Sequence, residues 1–235
     1  MTVAMVEQLE SVLGHSFGNK DLLEEALIHP SLLGTSQKTA KRHDRGYERL
    51  EFLGDRVLGL IIAELLVSTF PDESEGDLAR RHAALVKGKT LAKAARQMKL
   101  GDFMKLSVGE RNAGGQNNPA ILADVFEALC AAVYLDGGLD AARRMLNQHL
   151  APLLVTTEKP PVDSKTRLQE WTQGKFTELP KYRTLSESGP AHAPEFEVEV
   201  TVPGHDPICA KGTSKRAAEK AAALAMLGAL GLPTD

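Results

Sequence analysis

Two cysteines, Cys130 and Cys209, are all that the 235 residues contain, and neither stands in a CxxC or similar spacing. That excludes a disulfide scaffold and a thiolate zinc site, leaving both as reduced core or surface thiols. No apolar run approaches the ~18 residues of a membrane span, and the start, MTVAMVEQLESVLG, lacks a basic stretch followed by an apolar core. The chain therefore reads as cytoplasmic, with no membrane partner. An excess of positive charge is also missing: the net charge is −3, so any nucleic-acid binding must come from a local patch. Aromatic residues are scarce at 5%, whereas apolar residues reach 43% and charged ones 25%, the composition of a soluble, helix-rich globular protein. The length suits one large domain, or a medium and a small one.

The clearest break is TTEKPPVDSKT, polar and carrying the one Pro-Pro pair, a composition that extends and does not pack. It predicts a first domain over 1–155, a linker over 156–163 and a second domain over 164–232. Upstream, apolar residues recur at helical spacing over 5–13, 21–28, 48–70, 76–100, 121–134 and 139–154, with no convincing period-two strand. The first domain is thus expected to be all-α, with surface loops over 34–46 and 108–119. Downstream, 164–174 reads as a helix and 181–185 as a short strand. EFEVEVTV alternates as a half-exposed strand, 208–210 as a third, and 214–230 as an Ala-rich helix. That order, α-β-β-β-α, predicts a small α+β domain with helices on one face of a sheet.

The chemistry lies in YERLEFLGDRVLGL and ILADVFEALCAAVYL. On a helix at about 100° per residue, Glu48, Glu51 and Asp55 fall within about 60° of one another. Leu50, Leu53, Val57, Leu60 and Ile61 take the opposite side, so the helix is apolar almost all round. Asp124 and Glu127 repeat the pattern at i and i+3 in a run that is otherwise apolar. Like charges buried together lose hydration and repel, so either they take up protons or a cation neutralises them. The alternative is a set of surface acids paired with Arg49 and Arg56. All-oxygen ligands without His or Cys suit Mg²⁺ or Mn²⁺ and phosphate chemistry. Composition and spacing stop there, and an all-α nucleotide pyrophosphohydrolase fits equally.

The wording of the motifs goes further. YERLEFLGDRVLGL and ILADVFEAL resemble the two acidic signatures of the ribonuclease III family. The resemblance continues through FPDESEGDLARRHAALVKGKTLA, LGDFMKLSVGE, DSKTRLQEWTQG, GPAHAPEFEVEV and GTSKRAAEKAA, in order along nearly the whole chain. It implies an all-α endonuclease domain followed by a double-stranded RNA-binding domain, acting as a homodimer. It further implies Mg²⁺-dependent hydrolysis of double-stranded RNA to 5′-phosphate and 3′-hydroxyl ends, with precursor ribosomal RNA and structured messages as substrates. Glu51, Asp55, Asp124 and Glu127 would hold Mg²⁺, or Mn²⁺ in its place, with Glu127 near the attacking water. Glu48 and Glu75 would assist, and Phe52 would plug into the partner subunit. A binding protein that has lost cleavage is the other alternative, disfavoured by the intact acids.

The tail carries nine Lys and Arg against ten acids from Pro161 onward, so position matters more than bulk charge. Lys211, Lys215, Arg216 and Lys220 gather at the start of the last helix, where Thr213 or Ser214 can cap and the dipole favours phosphate. By resemblance, Gln169, Glu170 and His192 enter successive minor grooves of A-form RNA, which is read mainly through phosphate and 2′-OH. Tyr47 stands where the family usually has Asn, and Pro119-Ala120 where it has Glu-Ser. Arg42, His43 and Arg45 read as a solvated loop, His29 and His82 as packed or capping, and Gly114-Gly115 as a flexible turn.

Overall fold

The computed structural model describes residues 1–33, 46–154, 163–190 and 193–232. The chain divides into two compact units, Met1–Pro160 and Pro161–Asp235. Among the described residues no helix is long and apolar enough to cross a membrane.

The first unit is helical: α1 (Val3–Leu13), α2 (Lys20–Ala26), α3 (Glu48–Thr69), α4 (Glu75–Leu85), α5 (Gly88–Gln97), α6 (Val108–Asn112) and α7 (Pro119–Leu154). Its centre is α7, against which α3, α5 and α2 pack. From Ile121 to Val133 every α7 residue is buried except Asp124 and Glu127, which are half-buried. This helix opens on Pro119, whose missing N–H costs nothing in the first turn. The Asn118 side-chain carbonyl accepts from the Ala120 N–H at 2.9 Å.

Two expectations change here and a third is met. The single helix expected over 76–100 is two, α4 and α5, because the chain turns at Val86 and Lys87. The Thr90 hydroxyl ties that turn by donating to the Ala84 carbonyl at 2.7 Å. The loop expected over 108–119 contains α6, started by Ser107, whose Oγ accepts from the Glu110 N–H. The two helices expected over 121–134 and 139–154 are the halves of α7, broken at Gly138, where φ is 77°. Only glycine takes that conformation without strain.

The buried face of α3 is also rotated from the wheel. It runs through Leu50, Gly54, Val57, Leu58, Ile61, Ile62 and Leu66, while Leu60 is exposed. Leu58 and Ile62 lie in the same angular sector as Glu51 and Asp55, one and two turns further on. The acids are therefore the open end of the face that α7 covers.

The second unit comprises α8 (Ser164–Phe176), β1 (Lys181–Ser188), β2 (Glu195–Thr201), β3 (Ile208–Gly212) and α9 (Lys215–Ala229). The strands form an antiparallel sheet in the order β1-β2-β3, with a bulge between Thr184 and Ser186. The alternation of EFEVEVTV puts Val198 and Val200 inward, and Val202 follows them. α9 lies on β2 and β3 and carries α8, closing a core of Leu168, Val200, Val202, Ala222, Met226 and Leu227.

Candidate active site

Close helix packing makes the site. At Gly54 the main chain of α3 lies against that of α7, so close that an added Cβ would stand 1.8 Å from the Glu127 carbonyl oxygen. A glycine costs an α-helix about 1 kcal/mol relative to alanine; here it lets the two acidic helices touch. Glu51 and Asp55, on either side of Gly54, are thereby set beside Asp124 and Glu127.

The charges feel one another. Burial, and then Asp55, Glu51 and Asp124, push the Glu127 carboxyl up to about 7. Burial, Asp124, Glu48 and Asp55 raise Glu51, and burial raises Asp124. Arg56 opposes the rise at Glu127 and pairs with Asp55 at 2.6 Å. Both partners are largely exposed, so that pair is weakly stabilising and, among the described residues, the surface-pairing alternative holds for Asp55 alone. Next along α7, burial and Glu127 raise the Cys130 thiol to about 12, keeping it an inert core residue.

Tyr47 reaches the cluster from the end of α3. It is 3% exposed, and its hydroxyl donates to Asp124 Oδ2 at 3.3 Å. Burial and the surrounding acids hold its phenol far above the usual range, so it remains a donor. His29 packs its ring edge-on against Tyr47 at 5.8 Å and accepts from the Ser31 N–H through Nδ1 at 3.0 Å. His82 Nε2 meets the Gly59 carbonyl at 2.9 Å, pinning α4 to α3. Both histidines are packed or capping, as expected.

The donor set is anionic, all-oxygen, self-repelling and, apart from the exposed Asp55, half-buried. Among the described residues no three His, Cys, Asp or Glu side chains already converge as a metal cage. An open set of this kind fits Mg²⁺, which keeps several waters and uses few carboxylates, and does not fit zinc. Glu48 is exposed in the first turn of α3 and acts on Glu51 electrostatically. Glu75 is exposed in the first turn of α4, and among the described residues no hydrogen bond or ion pair ties it to the other acids. Phe52 is 65% exposed, with the Arg56 guanidinium 4.3 Å from its ring centroid.

In the second unit, Gln169 and Glu170 are exposed on α8. Ser214 is the N-cap of α9, accepting from the Ala217 N–H at 3.2 Å, and Lys215 and Arg216 are exposed in the turn that follows. Lys211 lies on β3 and not on the last helix, paired with Glu195 at 2.7 Å. Lys220 pairs with Asp163, clasping α9 to the start of α8. His192 falls outside the described residues, as do Arg42, His43 and Arg45.

Residues 19–154 match the family model described as Ribonuclease-III-like, and 164–230 match the double-stranded RNA binding motif. Ribonuclease 3 of Caulobacter vibrioides is 48% identical over 226 residues, covering 96% of each chain. The chain belongs to the ribonuclease III family. Ribonuclease 3 of Anaplasma marginale is 46% identical over 215 residues, 91% of this chain and 90% of that one. The nuclease domain of ribonuclease III from Campylobacter jejuni superposes with a TM-score of 0.55 at 40% identity, covering 62% of this chain and 99% of that one.

Membership in the ribonuclease III family makes the protein an endoribonuclease acting on double-stranded RNA, which removes the pyrophosphohydrolase alternative. Two residues of this family member were undervalued from sequence alone. Gly54 looks like any helix glycine until α7 is in place. Tyr47 shows only as an unusual residue in a familiar motif, since its partner is 77 positions away.

Proposed function

We propose that this ribonuclease III family member is a Mg²⁺-dependent nuclease, with Mn²⁺ able to substitute, leaving 5′-phosphate and 3′-hydroxyl ends. Residues 1–155 form the nuclease domain, 156–163 the linker and 164–232 the RNA-binding domain. The observation that carries the proposal is the carboxylate set that the Gly54–Glu127 backbone contact brings together across α3 and α7. Glu51, Asp55, Asp124 and Glu127 would hold the metal, which when bound lowers the pKa of water and stabilises the leaving oxygen. Glu127 would stand beside the attacking water and take its proton. Glu48 and Glu75 assist from the rim.

The Campylobacter jejuni nuclease domain has a region involved in dimer formation. In this chain Phe52, exposed beside the acids, would enter a second copy, so that two sites share one duplex. Gln169, Glu170, His192, Lys211, Ser214, Lys215, Arg216 and Lys220 are the residues that would contact the RNA. Its contacts fall on phosphate and sugar, so shape outweighs sequence. Precursor ribosomal RNA and structured messages in the cytoplasm are substrates of that kind.

The test is incubation of a long RNA duplex with the protein in Mg²⁺, Ca²⁺ or EDTA, alongside Glu127→Gln. Short 5′-phosphorylated products are expected only from the unaltered chain with Mg²⁺, and Glu127→Gln should still retard the duplex. Near-normal cutting by that variant would remove Glu127 from the centre.

A further inference from the structure

Tyr47 stands at the start of α3, one position ahead of Glu48. It stands just before α3, with its backbone already helical (φ −65°, ψ −14°), and makes no side-chain capping bond. The side chain is directed across to α7 instead, where its hydroxyl donates to Asp124 Oδ2 at 3.3 Å. Among the described residues this is the only hydrogen bond to the Asp124 carboxylate.

The phenol is held from behind. The Tyr47 N–H donates to the Ile28 carbonyl at 2.9 Å, and the next residue, His29, donates its N–H to the Lys105 carbonyl at 2.9 Å. The His29 ring stands edge-on to the Tyr47 ring, and the tyrosine is almost wholly buried. The hydroxyl therefore has little freedom to leave Asp124.

Its chemistry suits the task. A lysine or arginine beside Asp124 would orient the carboxylate but also neutralise it and compete with a cation. A neutral hydroxyl orients one oxygen, leaves the full negative charge in place and leaves the other oxygen for an ion. We propose that Tyr47 is a positioning residue of the carboxylate centre, fixing Asp124 for a divalent cation through the hydroxyl bond; this rests on the metal-centre reading above.

The test uses the full chain and two readouts: Mn²⁺ binding, followed by electron paramagnetic resonance of the free ion, and the Mg²⁺ dependence of duplex cleavage. Tyr47→Phe keeps the buried ring, so a melt in EDTA should differ little. The variant should bind Mn²⁺ about tenfold more weakly, as expected for loss of one hydrogen bond to a charged group. Its Mg²⁺ midpoint should rise by a similar factor, with rate recovered as Mg²⁺ is raised. In an Asp124→Asn background, adding Tyr47→Phe should cost no further Mn²⁺ affinity.

Unchanged Mn²⁺ affinity in Tyr47→Phe would overturn the proposal, as would an equal loss in both backgrounds, which would place the effect in packing and not in Asp124. Equal Mn²⁺ binding by the unaltered chain and Glu127→Gln would instead show that the metal-centre reading itself had failed, taking the proposal with it.

Discussion

Gly54 and Glu127 touch main chain to main chain: a Cβ built on the glycine would stand 1.8 Å from the glutamate carbonyl oxygen. The neighbouring atoms are backbone, so no side chain can swing aside. Gly54→Ala must force α3 away from α7, an overpacking cost of about 3 kcal/mol or more. Urea denaturation should show that loss, and cleavage should fall with it. A variant as stable as the parent would mean that the helices part without resistance.

The pH dependence of stability follows from Glu127. Its carboxyl titrates near 7 in the fold, against 4.5 ordinarily, so between those values the folded state holds a proton that the unfolded chain has released. Stability of the metal-free protein therefore falls as pH rises through that window and levels off above it. Glu127→Gln lacks this loss and should exceed the parent above pH 7 by about 1–2 kcal/mol, allowing for partial exposure. Denaturant midpoints in EDTA at pH 5 and pH 8 check this; parallel behaviour of the two proteins would contradict it.

Phe52 provides a test of assembly. Phe52→Glu puts a charge on an exposed apolar side chain whose loss leaves the core of α3 intact. Sedimentation is expected to show a shift from dimer toward monomer of at least tenfold in dissociation constant. An unchanged dimer would place the interface elsewhere.

Removal of the tail separates cutting from holding. A chain ending at Val155 should bind duplex RNA at least tenfold more weakly at moderate salt, and with a shallower salt dependence, because fewer phosphates are contacted. Gel retardation over a salt series measures both. Identical slopes would mean that Lys215 and Arg216 contribute nothing.

The acids were legible because a carboxylate pair at one-turn spacing in an apolar helix has few physical explanations. The sheet was legible because EFEVEVTV alternates cleanly. What escaped depends on partners distant in sequence. Leu60 looks like core on a wheel, but α7 covers the sector of Leu58 and Ile62 instead. Lys211 joins a basic cluster in the sequence, yet the antiparallel pairing of β2 with β3 delivers it to Glu195. The division of α4 from α5 turns on a two-residue break at Val86 and Lys87 that helical periodicity runs straight through.

The bulge in β1 bears on what an exposed sheet edge can pair with. β1 is an outer strand of a three-stranded sheet, and its pairing with β2 skips Leu185 between Thr184 and Ser186. An extra residue bends and over-twists an edge, while Lys181, Arg183 and Glu187 place charge along it. Such an edge is a poor template for a strand from another molecule. The irregularity therefore disfavours edge-to-edge pairing between copies.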